Sequence, residues 1–387
     1  MKKNELRIQQ VFSHLENNDL DLGFRLLMDC VHDTQDFSLF KETISLADWK
    51  AQNPNNETGL TQRCKTLLEK TAKIPIEEAP REDFIVEGEK LYKSYGANRF
   101  SLGPISVNIK KGEVYGLVGE NGNGKTTLLR ILAQELKLDG GEICYNFKEK
   151  HLSSFDLKTK LIYIPQRTKT WYGSLKDNLK FVLSNYNIPA EENEIRTLMM
   201  IARFGLWNYK HLKWSELSSG YKMRFELART MLRQPELLLL DEPLANLDIL
   251  SQQLILEDLK SICNSLNHPV GLILSSQQLY EVEKVSDKVI YLKNGKYHES
   301  HSEVKEEIVT RPEKLIVEIE STLSREVLTK AFEDLNPERL IYNGGVYIAF
   351  FPSTVRYHQV LLALGAAKVE IVYSRNISKS SRRFFVS

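Results

Sequence analysis

The string Gly119-Glu120-Asn121-Gly122-Asn123-Gly124-Lys125-Thr126-Thr127 constrains this chain more than any other feature. It fits G-x-x-x-x-G-K-[ST], follows the apolar run Val114 to Val118 and precedes a helical stretch, the order of strand, loop and helix that the pattern requires. Glycines let the backbone curl until successive N–H groups face phosphate oxygens, and the following helix adds the positive end of its dipole. On this reading Lys125 holds the β and γ phosphates of a nucleotide and Thr126 binds Mg2+. The bare pattern arises by chance in about 1 to 2% of chains this long, and the flanking strand and helix make an accident rarer still. The middle of the chain is therefore expected to be α/β.

The rest of that segment agrees. From Phe84 to about residue 310, strand-like runs alternate with helical ones, including Leu161 to Ile164, Leu237 to Leu240, Gly271 to Leu274 and Lys288 to Leu292. Residues 1–74 read instead as an all-α extension. Apolar residues recur at helical spacing in four groups: Leu6, Ile8, Val11, Phe12, Leu15; Leu22, Phe24, Leu26, Leu27, Val31; Phe37, Phe40, Ile44, Leu46; and Leu60, Cys64, Leu67, Leu68. Asp19 and Asp36 stand where caps belong, and Asn53-Pro54-Asn55-Asn56 marks a turn. Residues 75–83, with two prolines and four acids but no apolar period, read as a linker. Residues 311–387 run strand (Leu315 to Ile319), helix (Leu323 to Leu335), strand (Leu340 to Tyr342), a turn at Asn343-Gly344-Gly345, strand (Val346 to Phe351), helix (Thr354 to Leu364) and strand (Val369 to Tyr373). That is the order of an α+β ferredoxin-like βαββαβ unit.

Composition narrows the partners. With 52 basic and 51 acidic residues the charge nearly cancels, leaving no electrostatic footprint for nucleic acid, and none is expected as a partner. No stretch approaches the roughly 18 to 20 apolar residues that cross a bilayer, and MKKNELRIQQ lacks the apolar core of an export signal. Cys30, Cys64, Cys144 and Cys263 are scattered without metal-ligand spacing, so reduced thiols and no zinc site are expected. The charged stretch His298 to Glu307 reads as a solvated connection.

Further motifs stand downstream of the glycine-rich loop. Leu237 to Leu240 runs into Asp241-Glu242: an Asp there steadies the shell of a phosphate-bound Mg2+, and an adjacent Glu offers a base to an attacking water. An apolar run ending in two acids is by itself more often a plain strand end; its partnership with the loop reverses those odds. Between them lies Leu217-Ser218-Ser219-Gly220-Tyr221, followed by a helix with Arg224, Ala228 and Arg229. Here the sequence resembles the ATP-binding-cassette family, whose signature is Leu-Ser-Gly-Gly-Gln at this place. The resemblance covers roughly Phe84 to Gly295. It implies that Gln166 is the Q-loop glutamine, on Mg2+ and near the reacting phosphate, that Asn246-Leu247-Asp248 is the D-loop, and that Tyr95 stacks on adenine, with Tyr92 and Phe100 as rivals.

What the resemblance implies for function follows from the signature. Ser218 and the N–H groups of the following turn form a second phosphate site that serves the ATP of a partner cassette, so two cassettes close head to tail around two ATP molecules. The expected protein is thus an ATPase subunit with ATP and Mg2+ as cofactors, a second cassette (a homodimer) and a separate membrane-spanning permease as partners, and a place on the cytoplasmic face of the membrane. The permease would touch the helical arm between Gln166 and Ser218. The C-terminal segment ending in Ser378 to Phe385 resembles the tail of ATPases serving exporters of the ABC-2 type; the alternative is a soluble cassette ATPase acting in translation or regulation. Two positions depart from the family: Ser219 and Tyr221 stand where it has Gly and Gln, and Gln277 stands where it has a switch histidine. A glutamine donates a hydrogen bond but carries no proton or charge to the γ-phosphate, so catalysis is expected to be slow.

Overall fold

Four amphipathic sequences form α1 (Lys3–Glu16), α2 (Leu20–Thr34), α3 (Phe37–Gln52) and α4 (Glu57–Ala72). Asp36 caps α3 by accepting from the N–H groups of Ser38 and Leu39, and Asn56 caps α4 by accepting from Gly59. Asp19 precedes α2 as expected but makes no capping bond; its carboxylate meets His14 Nδ1 at 3.1 Å instead. The computed structural model describes residues 3–81, 83–96, 99–148, 153–277, 282–283, 285–298, 314–321, 323–343 and 346–378. It divides into two units, residues 1–277 with 285–288 and 292–297, and residues 278–284, 289–291 and 298–387. The turn at residues 344–345, the stretch 299–313 and the tail 379–387 lie outside the described residues.

From α4 the chain continues through β1 (Phe84–Ser94), β2 (Ser101–Lys110), β3 (Val114–Val118), α5 (Lys125–Leu132), β4 (Gly140–Tyr145), α6 (Ser154–Lys160), β5 (Leu161–Ile164), α7 (Leu175–Ser184) and α8 (Ala190–Arg203). Then come α9 (Ser219–Met231), β6 (Leu237–Leu240), α10 (Ile249–Cys263), β7 (Gly271–Ser276), β8 (Lys288–Lys293) and β9 (Lys296–His298). One sheet has the order β2-β1-β4 and is antiparallel; the other has the order β5-β6-β7-β3-β8-β9. All four leucines of β6 are fully buried, as a parallel strand covered on both faces demands. Parallel pairing runs Leu161 to Ile164 against Leu237 to Leu240, then Leu237 to Leu240 against Gly271 to Leu274, and Val114 to Val118 against Leu272 to Ser276. This register brings the C-terminal ends of β3, β6 and β7 side by side, the edge where α/β sheets bind ligands.

The N-terminal helices do not stand apart from the cassette. Val11, Leu27, Met28, Val31, Phe40, Cys64 and Leu68 share one buried core with Ile195, Met199 and Ala202 of α8. The described residues of 75–83 carry no helix or strand before β1, yet Ala79 N–H donates to Leu266 O at 2.9 Å and Arg81 donates to the carbonyls of Asn264 and Ser265. No helix among the described residues is long and apolar enough to cross a membrane.

The second unit contains β10 (Leu315–Ser321), α11 (Arg325–Ala331), β11 (Arg339–Asn343), β12 (Val346–Phe351), α12 (Tyr357–Ala366) and β13 (Ile371–Asn376). Its sheet order is β11-β12-β10-β13 with every neighbouring pair antiparallel, the ferredoxin-like arrangement. Leu328, Phe332, Val360 and Leu364 from the helical side bury against Val317, Ile319, Ala349 and Phe351 of the sheet.

Candidate functional site

The loop between β3 and α5 is shaped by glycine where a side chain has no room. Gly124, the N-cap of α5, has φ +99, and a Cβ there would lie 2.7 Å from Leu102 and 2.8 Å from the Phe100 ring. A Cβ on Gly119 would meet the Leu292 carbonyl at 2.5 Å. With a glycine cap, no side chain takes the first N–H groups of α5, so that helix end stays open to an anion. Buried Asn123 pins the loop from behind by accepting from Asn294 N–H at 2.8 Å. Glu120, Asn121 and Gly122 form its exposed or partly exposed rim, and Thr127 lies in the first turn of α5.

Lys125 and Thr126 reach from α5 to the end of β6. The Lys125 ammonium donates to Gly119 O at 2.6 Å and lies 3.3 Å from Glu242 Oε1; Thr126 Oγ1 donates to Asp241 Oδ2 at 2.8 Å. Ser275 on β7 joins the two acids, donating to Asp241 Oδ1 at 2.8 Å and accepting from Glu242 N–H at 2.9 Å. Tyr163 on β5 donates to Asp241 Oδ2 at 3.1 Å; burial and the neighbouring carboxylate push its phenol up, so it stays a donor. Glu242 takes the left-handed φ of +48, a conformation costing a non-glycine residue about 1–3 kcal/mol, as strained functional positions often do. Its carboxylate receives Gln166 Nε2 at 3.0 Å and Gln277 Nε2 at 3.1 and 3.0 Å. Thus Lys125, Gln166 and Gln277 converge on Glu242, while Thr126, Tyr163 and Ser275 converge on Asp241.

Tyr95 follows the end of β1, half-exposed, its ring 6.3 Å from that of Phe100, which in turn lies against Gly124. Tyr92 is also part-exposed but lies beside Gly140.

The signature stretch is built differently. Ser218 is the N-cap of α9, and its hydroxyl accepts from Tyr221 N–H at 3.5 Å. Ser219 Oγ donates to Asn246 O at 3.3 Å, and Gly220 lets α9 approach Ser251, whose Oγ would be 2.7 Å from a Cβ at this position. Leu217 is buried beneath. Tyr221 lies against Tyr209, the rings tilted by 34° with centroids 4.0 Å apart, and burial together with that neighbour pushes its phenol up to about 12. Asp248 caps α10, accepting from Ser251 N–H at 3.0 Å and from its hydroxyl at 2.6 Å. These contacts of residues 218–221 run to Asn246, Ser251 and Tyr209, and none of those partners belongs to the loop 119–124.

Sequence reading singled out the loop, Asp241, Glu242, Gln166 and Gln277 but not Ser275 or Tyr163. The available signal was a buried hydroxyl one residue beyond the apolar run Gly271 to Leu274, because a buried polar group needs a partner. Thr126 and Asp241 offer oxygen donors of the kind Mg2+ prefers, and among the described residues no group of three or more His, Cys, Asp or Glu forms a metal cluster.

Comparison with known proteins bears on the whole cassette. The family described as ABC transporter matches residues 102–245. The phosphonates import ATP-binding protein of Treponema denticola is 28% identical over 55% of this chain and 87% of its own length. An uncharacterized ABC transporter ATP-binding protein of Methanocaldococcus jannaschii is 33% identical over 54% of this chain and 80% of its own. Among solved structures, CbiO1 of Clostridium perfringens, part of an ABC transporter complex, aligns with a TM-score of 0.53 at 26% identity, over 66% of this chain and 96% of that one. The strand-end acids, the glycine-shaped loop and these likenesses lead to one conclusion: the chain belongs to the ABC transporter family, as one of its ATP-binding, ATP-hydrolysing subunits.

Proposed function

We propose that MgATP binds with its β and γ phosphates on the loop 119–124 and Lys125, with Thr126, Asp241 and Gln166 serving Mg2+ and Tyr95 the adenine. The convergence of Lys125, Gln166 and Gln277 on Glu242 carries this reading, because it sets one carboxylate beside the lysine that marks the phosphates. Glu242 orients and deprotonates the attacking water; Gln277 donates to the γ-phosphate side but supplies no proton, which makes turnover slow. Bound Mg2+ would neutralise charge on the phosphates. Ser218, Ser219, Gly220 and Tyr221 serve the nucleotide of a second copy, with Asp248 at that boundary, so that ATP closes a head-to-tail homodimer.

The division into residues 1–74, 75–83, 84–310 and 311–387 belongs to the same proposal. So do a place on the cytoplasmic face of a membrane and a permease docked on the arm, where Tyr172 and Phe181 stand exposed. The ferredoxin-like unit supports export, although the phosphonates protein among the relatives is named for import. Isolating the full chain from membranes tests the assembly: a multispanning protein should accompany it in fixed ratio. Recovery with ribosomes instead would favour the soluble alternative.

A further inference from the structure

Helix α2 carries Arg25, Asp29 and Asp33 four residues apart, a stripe on one face that packing buries. Each residue of the stripe reaches an element of the cassette. Asp29 accepts from Arg203 at the end of α8 (2.6 Å) and from Ser261 on α10; Asp33 accepts from Ser265 Oγ at 2.5 Å and Leu266 N–H at 3.0 Å, just beyond α10. Arg25 donates to Asp258 on α10, to Glu257 at 3.2 Å and to the Leu254 carbonyl at 3.2 Å. Asp258 then faces α9: its second oxygen lies 3.4 Å from Arg224 Nε, and the Arg224 guanidinium lies 6.0 Å from the Tyr221 ring. A contact path therefore leads from the N-terminal helices to the signature residue Tyr221.

The energetics favour orientation over stability as the use of this path. Asp258 is almost fully buried between two guanidinium groups; burial raises its carboxyl, and the two arginines only partly offset this. Asp258 Oδ2 and Arg25 Nε have no hydrogen-bond partner, so the group is incompletely satisfied. Buried ion pairs of this kind are often no more stabilising than apolar side chains of the same volume, but they are directional. An apolar α2 face would hold α10 equally well without fixing the rotation of Arg224.

We propose that Arg25 is a positioning residue for the signature segment: through Asp258 it sets Arg224, and so the orientation in which α9 offers Ser218 to Tyr221 to a nucleotide. The inference rests on the proposed role of the signature and gives the N-terminal helices a part in turnover that the cassette alone does not explain.

The test uses the full-length chain well below the melting temperature of every variant, reading MgATP affinity and turnover separately. Arg25→Met should lower kcat about tenfold and leave MgATP affinity within about twofold, since the loop 119–124 is untouched. The triple variant Arg25→Met/Arg224→Met/Asp258→Leu removes the charges together; it should regain thermal stability but not kcat. Arg25→Lys, a weaker fork, should fall between wild type and Arg25→Met. Wild-type kcat in Arg25→Met would overturn the proposal. So would recovery of wild-type kcat alongside stability in the triple variant, which also decides the matter if Arg25→Met fails to fold. Variants that keep MgATP affinity but lose turnover, beside an unaltered chain that binds and hydrolyses MgATP, support it; an unaltered chain that neither binds nor hydrolyses MgATP refutes the proposed function itself.

Discussion

Two helix N-termini of this cassette enter the proposed function as anion sites, and they are built in opposite ways. At α5 the cap is Gly124, no side chain takes the first N–H groups, and Lys125 lies at the end of β6 beside Glu242. At α9 the cap is Ser218, its own hydroxyl already accepts from Tyr221 N–H, and the neighbours come from Asn246, Ser251 and Tyr209. The first end has a lysine and a carboxylate within the same chain. The second has a donor surface whose nearby Arg224 is turned to the buried Asp258. Such an arrangement suits a surface that completes a site on another molecule, because with Arg224 held by buried Asp258 it would hold a phosphate only weakly.

This contrast can be broken most severely at Lys125. Lys125→Met is expected to weaken MgATP binding about thirtyfold or more, since removing one partner of a desolvated charge pair costs about 2–5 kcal/mol; a filter-binding or fluorescence titration measures it, and unchanged affinity would dissolve the distinction. Ser218→Gly comes next. Glycine is nearly as good a cap, so stability should move by only a few tenths of a kcal/mol. Loss of the hydroxyl from a charged acceptor should nonetheless lower steady-state turnover about tenfold to hundredfold, with single-chain MgATP affinity unchanged. Lost affinity would place Ser218 at its own chain's nucleotide.

Gln277→His sharpens the first half of the comparison. The structure places the Gln277 amide on both oxygens of Glu242, where an imidazole can bring a proton as well as a hydrogen bond. Turnover should rise by up to about tenfold, corresponding to roughly 1.4 kcal/mol. The smallest effect lies at Tyr221. Its phenol is pushed from 10.0 to about 12 by burial and by Tyr209. The folded state therefore keeps the proton more tightly than the unfolded one, and this contribution is whole below pH 10 and lost as pH rises toward 12. Melting curves of wild type and Tyr221→Phe should converge across that window. Parallel curves would mean that Tyr221 is not held as the fold suggests.

Much of the architecture was readable in advance because it is written in short periods. Leu161 to Ile164 and Leu237 to Leu240 match β5 and β6 end for end, and Val114 to Val118 matches β3, because buried parallel strands leave unbroken apolar runs between breakers. The four N-terminal helices and the βαββαβ order followed from 3.6- and 2-residue spacing in the same way. Asp19 shows the limit of such rules: it occupies a cap position by pattern, yet His14 lies close enough to take its carboxylate.

What the sequence by itself determined was local: a glycine-rich loop between a strand and a helix, helix faces, strand ends and the acids that terminate β6. The tertiary structure alone decided which of these meet. The sheet order β5-β6-β7-β3 carries Tyr163, Asp241, Ser275 and Lys125 to one edge although they are far apart in the chain, since strand neighbours are chosen by packing and not by sequence distance. The stripe Arg25, Asp29 and Asp33 makes the same point from the other side. Charges four apart on a helix look like a solvated face, and only the fold of α2 onto α8 and α10 turns them into a buried path, because burial is a property of the partner surface and not of the helix that meets it.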